Sequence, residues 1–298
     1  MNIDIHALLK QKRKITKLFP FKSTSYFLNL ITKENDGLFK QIIPSKAELK
    51  SRGMSDPLYE EKYMPVPNLV HRYPNRILLL ITNDCFGYCR FCTRKRNWGV
   101  ENTFFDYFDK IFAYITNHKE ITEVILSGGD PLLLEIKELN RIFDALNKID
   151  SIKIVRIGSR ILTFNPQGVT KELLDVLNYK GILFFLTHFN HPDEITKETM
   201  IAVQKIRERG IILLNQSVLL KDINDTQAVL ESLSFKLLSC GIKPYALHQL
   251  DKTRSTQHFR VSIAKGRQLI KEMRKKFSGI GIPHYVLDRP KGKGKIFL

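Results

Sequence analysis

The stretch Arg76-Ile77-Leu78-Leu79-Leu80-Ile81-Thr82-Asn83-Asp84-Cys85-Phe86-Gly87-Tyr88-Cys89-Arg90-Phe91-Cys92 joins an apolar run to three cysteines. The run predicts a buried strand, and the cysteines follow it with C-x3-C-x2-C spacing. Three thiolates can hold three irons of a [4Fe–4S] cluster and leave the fourth iron open to a bound molecule. Tetrahedral zinc usually takes four ligands, in pairs such as C-x2-C repeated downstream, and no second pair follows. The remaining cysteine, Cys240, lies far away in Leu237-Leu238-Ser239-Cys240-Gly241 and reads as a buried apolar residue. A disulfide fits poorly, because no signal peptide is visible and a short cysteine cluster suits a metal better. Cys85, Cys89 and Cys92 are therefore the candidate metal ligands.

Working outward, strand-like runs at 77–82, 124–127, 152–157, 182–187, 211–219 and 244–248 alternate with amphipathic stretches at 107–116, 134–146, 170–177, 197–209 and 226–238. Such alternation predicts βα units and a parallel sheet. The fold class is α/β, and six units fit an open or partial (β/α)6 barrel. Polar motifs fall at the strand ends: Asn83-Asp84-Cys85, Ser127-Gly128-Gly129-Asp130, Gly158-Ser159-Arg160, His188-Phe189-Asn190-His191 and Leu250-Asp251. In barrels that rim carries the active site. Residues 1–70 read as a helical or irregular extension, with Pro65-Val66-Pro67 and Pro74 making an extended approach to the first strand. Residues 71–260 read as the barrel, and 261–298 as a helix and tail.

Paired glycines let a ligand approach backbone amides closely. Asp130 beside Gly128 and Gly129 can accept a hydrogen bond from an ammonium group. After a three-cysteine cluster with an open iron, this turn fits the amino group of S-adenosylmethionine (SAM).

The segments 83–96, 127–132, 154–160, 187–192, 215–220 and 244–260 together, in order, resemble the lysine 2,3-aminomutase family of radical SAM enzymes. The match runs from about Asp56 to Lys295. The resemblance implies a radical SAM partial barrel, a [4Fe–4S] cluster, SAM and pyridoxal phosphate (PLP). It also implies transfer of an amino group between adjacent carbons. The tail Asp288-Arg289-Pro290-Lys291-Gly292-Lys293-Gly294-Lys295 resembles the family's D-x-P-G-G-G-G-K segment, with Lys291 and Lys293 replacing glycines. That register makes Lys295 the lysine that binds PLP as a Schiff base. His71-Arg72-Tyr73-Pro74-Asn75-Arg76 resembles H-R-Y-P-D-R, which implies Arg72 and Arg76 on the PLP phosphate and Tyr73 near its ring. Guanidinium donors suit phosphate geometry. Arg94 matches the arginine that holds the substrate carboxylate. Asp251 and Asp288 match two acids that hold the distal ammonium of lysine. A distal carboxylate would call for a basic or neutral residue at one of these places. His188 and Gln216 match positions near SAM. Lys252 directly after Asp251 resembles the L-D-K stretch of the branch that supplies β-lysine for elongation factor P.

Charge sets the rival readings. The chain carries 48 Lys and Arg against 30 Asp and Glu, a net +18. The basic residues are spread along the chain, with one dense run at Lys10-Gln11-Lys12-Arg13-Lys14, which argues against direct nucleic-acid binding. No apolar run approaches the ~18–20 residues needed to cross a bilayer, so no membrane partner is expected. Free thiols without a signal peptide point to the cytoplasm. The expected partners are L-lysine and an electron-donating reductant, with homo-oligomerisation left open. The alternatives are an aminomutase for another amino acid and an RNA-associated iron–sulfur protein without PLP.

Overall fold

The computed structural model describes residues 9–10, 13–50, 52–290 and 294–298. Lys291 and Lys293 lie outside the described residues. Strands β1 (Leu69–Tyr73), β2 (Arg76–Thr82), β3 (Glu123–Gly128), β4 (Ile154–Gly158), β5 (Ile182–Thr187), β6 (Ile212–Leu219), β7 (Lys243–Gln249), β8 (His284–Asp288) and β9 (Lys295–Phe297) form one sheet in chain order. Neighbours from β2 to β8 run parallel, and β1 and β9 pair antiparallel at the two ends. The helices are α1 (Arg13–Leu18), α2 (Ser25–Asn29), α3 (Gly37–Ile42), α4 (Phe108–Asn117), α5 (Ile136–Asn147), α6 (Ile161–Phe164), α7 (Lys171–Val176), α8 (Lys197–Glu208), α9 (Gln227–Ser239) and α10 (Ile263–Met273). The six expected strands and five expected helices are all present, with ends shifted by a residue or two. This is the α/β partial barrel that the alternation predicts.

Side-chain alternation separates the two faces of the sheet. Ile77, Leu79 and Ile81 of β2, Val124 and Leu126 of β3, and Val155 and Ile157 of β4 are buried in the main core. They share that core with Ile111 and Ile115 of α4 and Leu139, Ile142, Phe143 and Leu146 of α5. The intervening positions form the other face, and there Arg76, Glu123, Ser127, Arg156, Gln216, His248, Asp288 and Lys295 are polar. A parallel sheet is usually apolar on both faces. A polar inner face costs stability unless its groups are paired, and it marks the functional side.

Three elements differ from the sequence expectation. The extended approach is strand β1, with Leu69 opposite Leu79 and Val70 opposite Leu78. Strands β8 and β9 are too short for a periodicity signal, yet they continue the sheet past residue 260 without a break. The N-terminal extension does not stand apart either: Phe27, Leu38, Phe39, Ile42 and Ile43 belong to the main core.

The extension is also joined to the cysteine loop by buried charge. Glu48 and Arg90 are both fully buried, with Nη2 to Oε2 at 2.7 Å and Nε to Oε1 at 3.1 Å. Lys95 Nζ reaches the same carboxylate at 2.8 Å. Arg90 also donates to the carbonyls of Pro20 and Phe19. Burial pushes the Glu48 carboxyl up, but Arg90 and Lys95 outweigh it and hold it below the usual range. Removing one member of such a group leaves charge buried and unpaired. Glu48→Ala is expected to lower the unfolding free energy by about 3–5 kcal/mol in urea denaturation of the ligand-free protein. A loss below about 1 kcal/mol would mean that the group is worth no more than a surface pair.

Candidate active site at the strand ends

The cysteine loop leaves the end of β2 and sits between three supports. Arg90, inside the loop, donates its backbone N–H to Gln41 O, and Tyr88 donates to Lys22 O, so the N-terminal segment holds it from one side. Tyr88 stacks on Trp98 with ring centroids 4.7 Å apart. Cys85, Cys89 and Cys92 are each partly exposed. Burial pushes the Cys85 thiol up, and so do the nearby Cys92, Asp130 and Cys89. Burial and Cys89 push Cys92 up as well. Cys85 and Cys92 are therefore poor thiolates on their own. Bound metal reverses that penalty, because a coordinating thiol is deprotonated outright. The donor set fits an iron–sulfur cluster. Among the described residues no three His, Cys, Asp or Glu side chains are drawn together for a single metal ion.

The Gly128-Gly129 turn serves the same loop. Gly128 has φ +118°, and a Cβ there would meet Thr82 O at 2.3 Å. A Cβ on Gly129 would meet Asp84 O at 2.0 Å. Without those atoms the turn clamps onto the backbone just before Cys85, with Asp130 N donating to Asp84 O at 2.6 Å. Asp130 itself is buried and accepts from Ser159 Oγ at 2.7 Å, Arg160 N at 2.7 Å and Leu132 N at 3.2 Å. Burial pushes its carboxyl up to about 6, against the pull of those bonds. These bonds tie the β3 turn to the β4 turn.

Arg160 follows β4. Its Nη1 donates to Cys89 Sγ at 2.7 Å, while Nη2 meets Glu194 Oε2 at 2.7 Å and Gln41 Oε1 at 3.1 Å. His188, at the end of β5, stacks on Phe91 at 5.5 Å and keeps a buried Nε2 without a partner. Burial, helped by Arg160, lowers its imidazole to about 3. Gln216 lies on the inner face of β6, opposite Ala246.

The far side of the inner face holds the tail. Asp288 on β8 is directly opposite Lys295 on β9. Arg72 on β1 donates Nη2 to Asp288 Oδ1 at 2.8 Å and also to the Arg289 carbonyl. Arg72 and Asp288, expected on a phosphate and on a substrate ammonium respectively, thus meet each other. Arg76 lies over the Tyr73 ring at 3.9 Å, and Tyr73 OH is buried without a partner. Lys295 is exposed along β9, but desolvation of its amine end lowers the amine; Arg156 and Arg76 push the same way, while Asp288 and Asp251 oppose them. Burial and then Asp288 push the Asp251 carboxyl up to about 7. Among the described residues its side chain makes no hydrogen bond or ion pair, and Lys295, Arg72 and Arg260 act on it only at longer range, pulling it down. His248 on β7 also faces this group. Its Nε2 is buried and unpartnered, and burial, Lys295 and His188 hold its imidazole well below the usual value.

Arg94 stands on the opposite wall. Glu60 takes its Nε and Nη2, the latter at 2.6 Å, which leaves Nη1 reaching Ser127 Oγ at 3.3 Å. Arg96 shares Glu60 at 3.0 Å. The cysteine loop, Asp130, His188 and Asp251 follow the ends of their strands, whereas Tyr73 and Arg76 lie where β1 meets the start of β2; the orphaned Arg72 Nε, Tyr73 OH, Arg156 Nε, His188 Nε2 and His248 Nε2 are buried polar atoms that a bound polar ligand could satisfy. Sequence reasoning missed Glu60, Arg156, Glu194 and His248. Arg156 and His248 alternate with apolar residues within their strands, and that parity was the signal available. Glu60 and Glu194 lie in loops that carry no such periodicity.

Residues 79–233 match the model of the radical SAM superfamily. An L-lysine 2,3-aminomutase of Methanococcus maripaludis is 40% identical over 297 residues, covering 96% of this chain and 69% of that protein. A glutamate 2,3-aminomutase of Clostridioides difficile is 35% identical over 294 residues, covering 96% of this chain and 70% of that protein. Among solved structures, a radical SAM methyltransferase from Sphaerobacter thermophilus superposes with a TM-score of 0.54 at 16% identity, over 74% of this chain and 69% of that one, a likeness of fold. Parallel strands, three clustered cysteines beyond the first of them and these matches have one explanation: the chain belongs to the radical SAM superfamily and, within it, to the lysine 2,3-aminomutase family.

Proposed function

We propose that the chain converts L-lysine to β-lysine by moving the amino group between carbons 2 and 3, using a [4Fe–4S] cluster, SAM and PLP. The observation that carries the substrate is Asp251: a half-buried carboxyl beside Asp288, raised to about 7 even though Lys295, Arg72 and Arg260 pull it down. A distal ammonium would restore its charge, whereas a distal carboxylate would face two acids. Cys85, Cys89 and Cys92 would hold the cluster. Gly128, Gly129, Asp130, His188 and Gln216 would shape the SAM side of the rim. Lys295 would hold PLP covalently, with Tyr73 and Arg76 beside it. When bound, the cluster and SAM would supply a carbon radical, and PLP would hold the amino nitrogen while it changes carbons. The chain's own part is positioning. Arg94, fixed by Glu60, presents Nη1 to the substrate carboxylate, and Asp251 fixes the other end. Holding both ends sets which carbon lies against the cofactors. Lys252, next to Asp251, supports elongation factor P as the destination of the product. Among the described residues no helix is long and apolar enough to cross a membrane.

Protein reconstituted anaerobically with iron, sulfide, PLP, SAM and a strong reductant is expected to form β-lysine from lysine and to leave glutamate unchanged. Turnover of glutamate in preference to lysine would overturn the substrate assignment. Each charge-assisted hydrogen bond is worth roughly 1.5–3 kcal/mol. Asp251→Ala should therefore lower kcat/KM for lysine by at least ~10-fold, since 1.4 kcal/mol is one decade.

Borohydride reduction of PLP-loaded protein is expected to fix the cofactor on Lys295, as read by peptide mass spectrometry. The lowered amine is the chemical reason, because an uncharged lysine is the nucleophile. Recovery of the adduct on another lysine would refute that role.

Asp251 also gives a pH dependence with a definite sign. The ammonium requires the ionised carboxylate, so lysine binding should strengthen as pH rises from 6 toward 8 and level off above about 7. Near pH 7, binding should release about half a proton per lysine at this site, read by calorimetry in buffers of different ionisation enthalpy. Asp251→Asn should remove that release. An equal release from Asp251→Asn and wild type would place the titrating group elsewhere.

A further inference from the structure

Arg160 is the cationic side chain aimed at a candidate cluster ligand, and several elements hold it there. Nη1 lies 2.7 Å from Cys89 Sγ. Nη2 is held by Glu194 Oε2 and Gln41 Oε1, and the backbone N–H by Asp130 Oδ2. Glu194 is fully buried, and its other oxygen accepts from Asn190 N at 2.9 Å, His191 N at 2.8 Å and Gln41 Nε2 at 2.8 Å. The guanidinium carbon lies 4.9 Å from the centroid of the Phe164 ring and 5.7 Å from that of Phe91. The fork therefore cannot swing away from the sulfur without breaking buried bonds on the β4 turn, the β5 turn and the N-terminal segment.

We infer that Arg160 is a positioning residue that sets the reduction potential of the cluster by donating a hydrogen bond to the Cys89 sulfur. The inference rests on the cluster reading given above. Hydrogen bonds to cluster sulfurs draw electron density away from the iron, stabilise the reduced form and raise the potential. The Glu194 carboxylate offsets much of the guanidinium charge at longer range, so the short N–H to sulfur contact is the part that acts on the cluster. A lysine would keep the charge and lose the planar fork that serves Cys89 and Glu194 together. A glutamine would lose the charge as well and leave Glu194 unbalanced beside the cluster.

The test uses wild type, Arg160→Lys and Arg160→Gln, reconstituted with cluster and without SAM, so that no SAM group can contact the arginine. Reduced cluster is followed by electron paramagnetic resonance during a potential titration. At the wild-type midpoint, the ratio of reduced to oxidised cluster is expected to fall about tenfold in Arg160→Gln, a shift of ~59 mV for one electron, and by less in Arg160→Lys. A second measurement needs no variant. Wild type carrying arginine labelled with heavy nitrogen in its guanidinium should show hyperfine coupling of that nitrogen to the reduced cluster. Unchanged potentials in variants with full iron content, or no such coupling in wild type, would overturn the inference and leave the cluster reading standing. Wild type that takes up no four-iron cluster would overturn both.

Discussion

The Arg72–Asp288 ion pair joins the two ends of a sheet that its own hydrogen bonds leave open. Strands β1 and β9 are the termini of the ladder, and no backbone pairing connects them. One side chain from β1 crosses that gap to β8, at a place where both partners are mostly shielded from water. At this seam Asp288 is shared between Arg72 on one side and the facing Lys295 on the other. Asp251, without a comparable partner, becomes the acid that burial holds near neutrality. The electrostatics of the tail side of the rim thus follow from how one gap in a partial barrel is bridged.

Across the rim, the same logic runs through the cysteine loop. Glu48, Glu60 and Glu194 are buried acids, and each fixes an arginine: Arg90 within the loop, Arg94 just after it, and Arg160 against it. Glu48 and Glu60 sit in the N-terminal segment, outside the sheet. That segment supplies packing through Phe27 and Ile42, counter-charges through Glu48 and Glu60, and amide hydrogen bonds through Gln41. The cluster loop consequently borrows its rigidity from residues far from it in sequence.

Most of the barrel was legible in the sequence because βα alternation is a local signal, and the runs at 77–82 and 182–187 match their strands almost residue for residue. The cysteines were legible because their chemistry is written in spacing. What escaped was pairwise. That Asp288 faces Arg72, or that Glu60 occupies Arg94, depends on contacts between residues tens to hundreds of positions apart, and no composition or period encodes these. Asp130 shows the same limit: its residue type admitted a ligand role, but its bonds to Ser159 and Arg160 could not be read from the sequence. Strands β8 and β9 escaped for a different reason, since five- and three-residue segments are too short to display alternation.

Lys295 rides on β9, a three-residue edge strand that pairs on one side with β8. Beyond that pairing, Leu298 N donates to Tyr285 O at 2.9 Å, the Phe297 ring meets His284, and Leu298 packs on a smaller core. Structures open locally where buried contacts are few, and short edge elements lie at the low end of that scale. The amine at the heart of the tail side is thus carried by one of the least anchored pieces of the sheet, while the cysteines sit among its most deeply fixed ones. The two halves of the rim differ in local folding free energy. Amide exchange along β9 should run far ahead of exchange in β2 and β3, and undocking of the strand would leave the barrel folded.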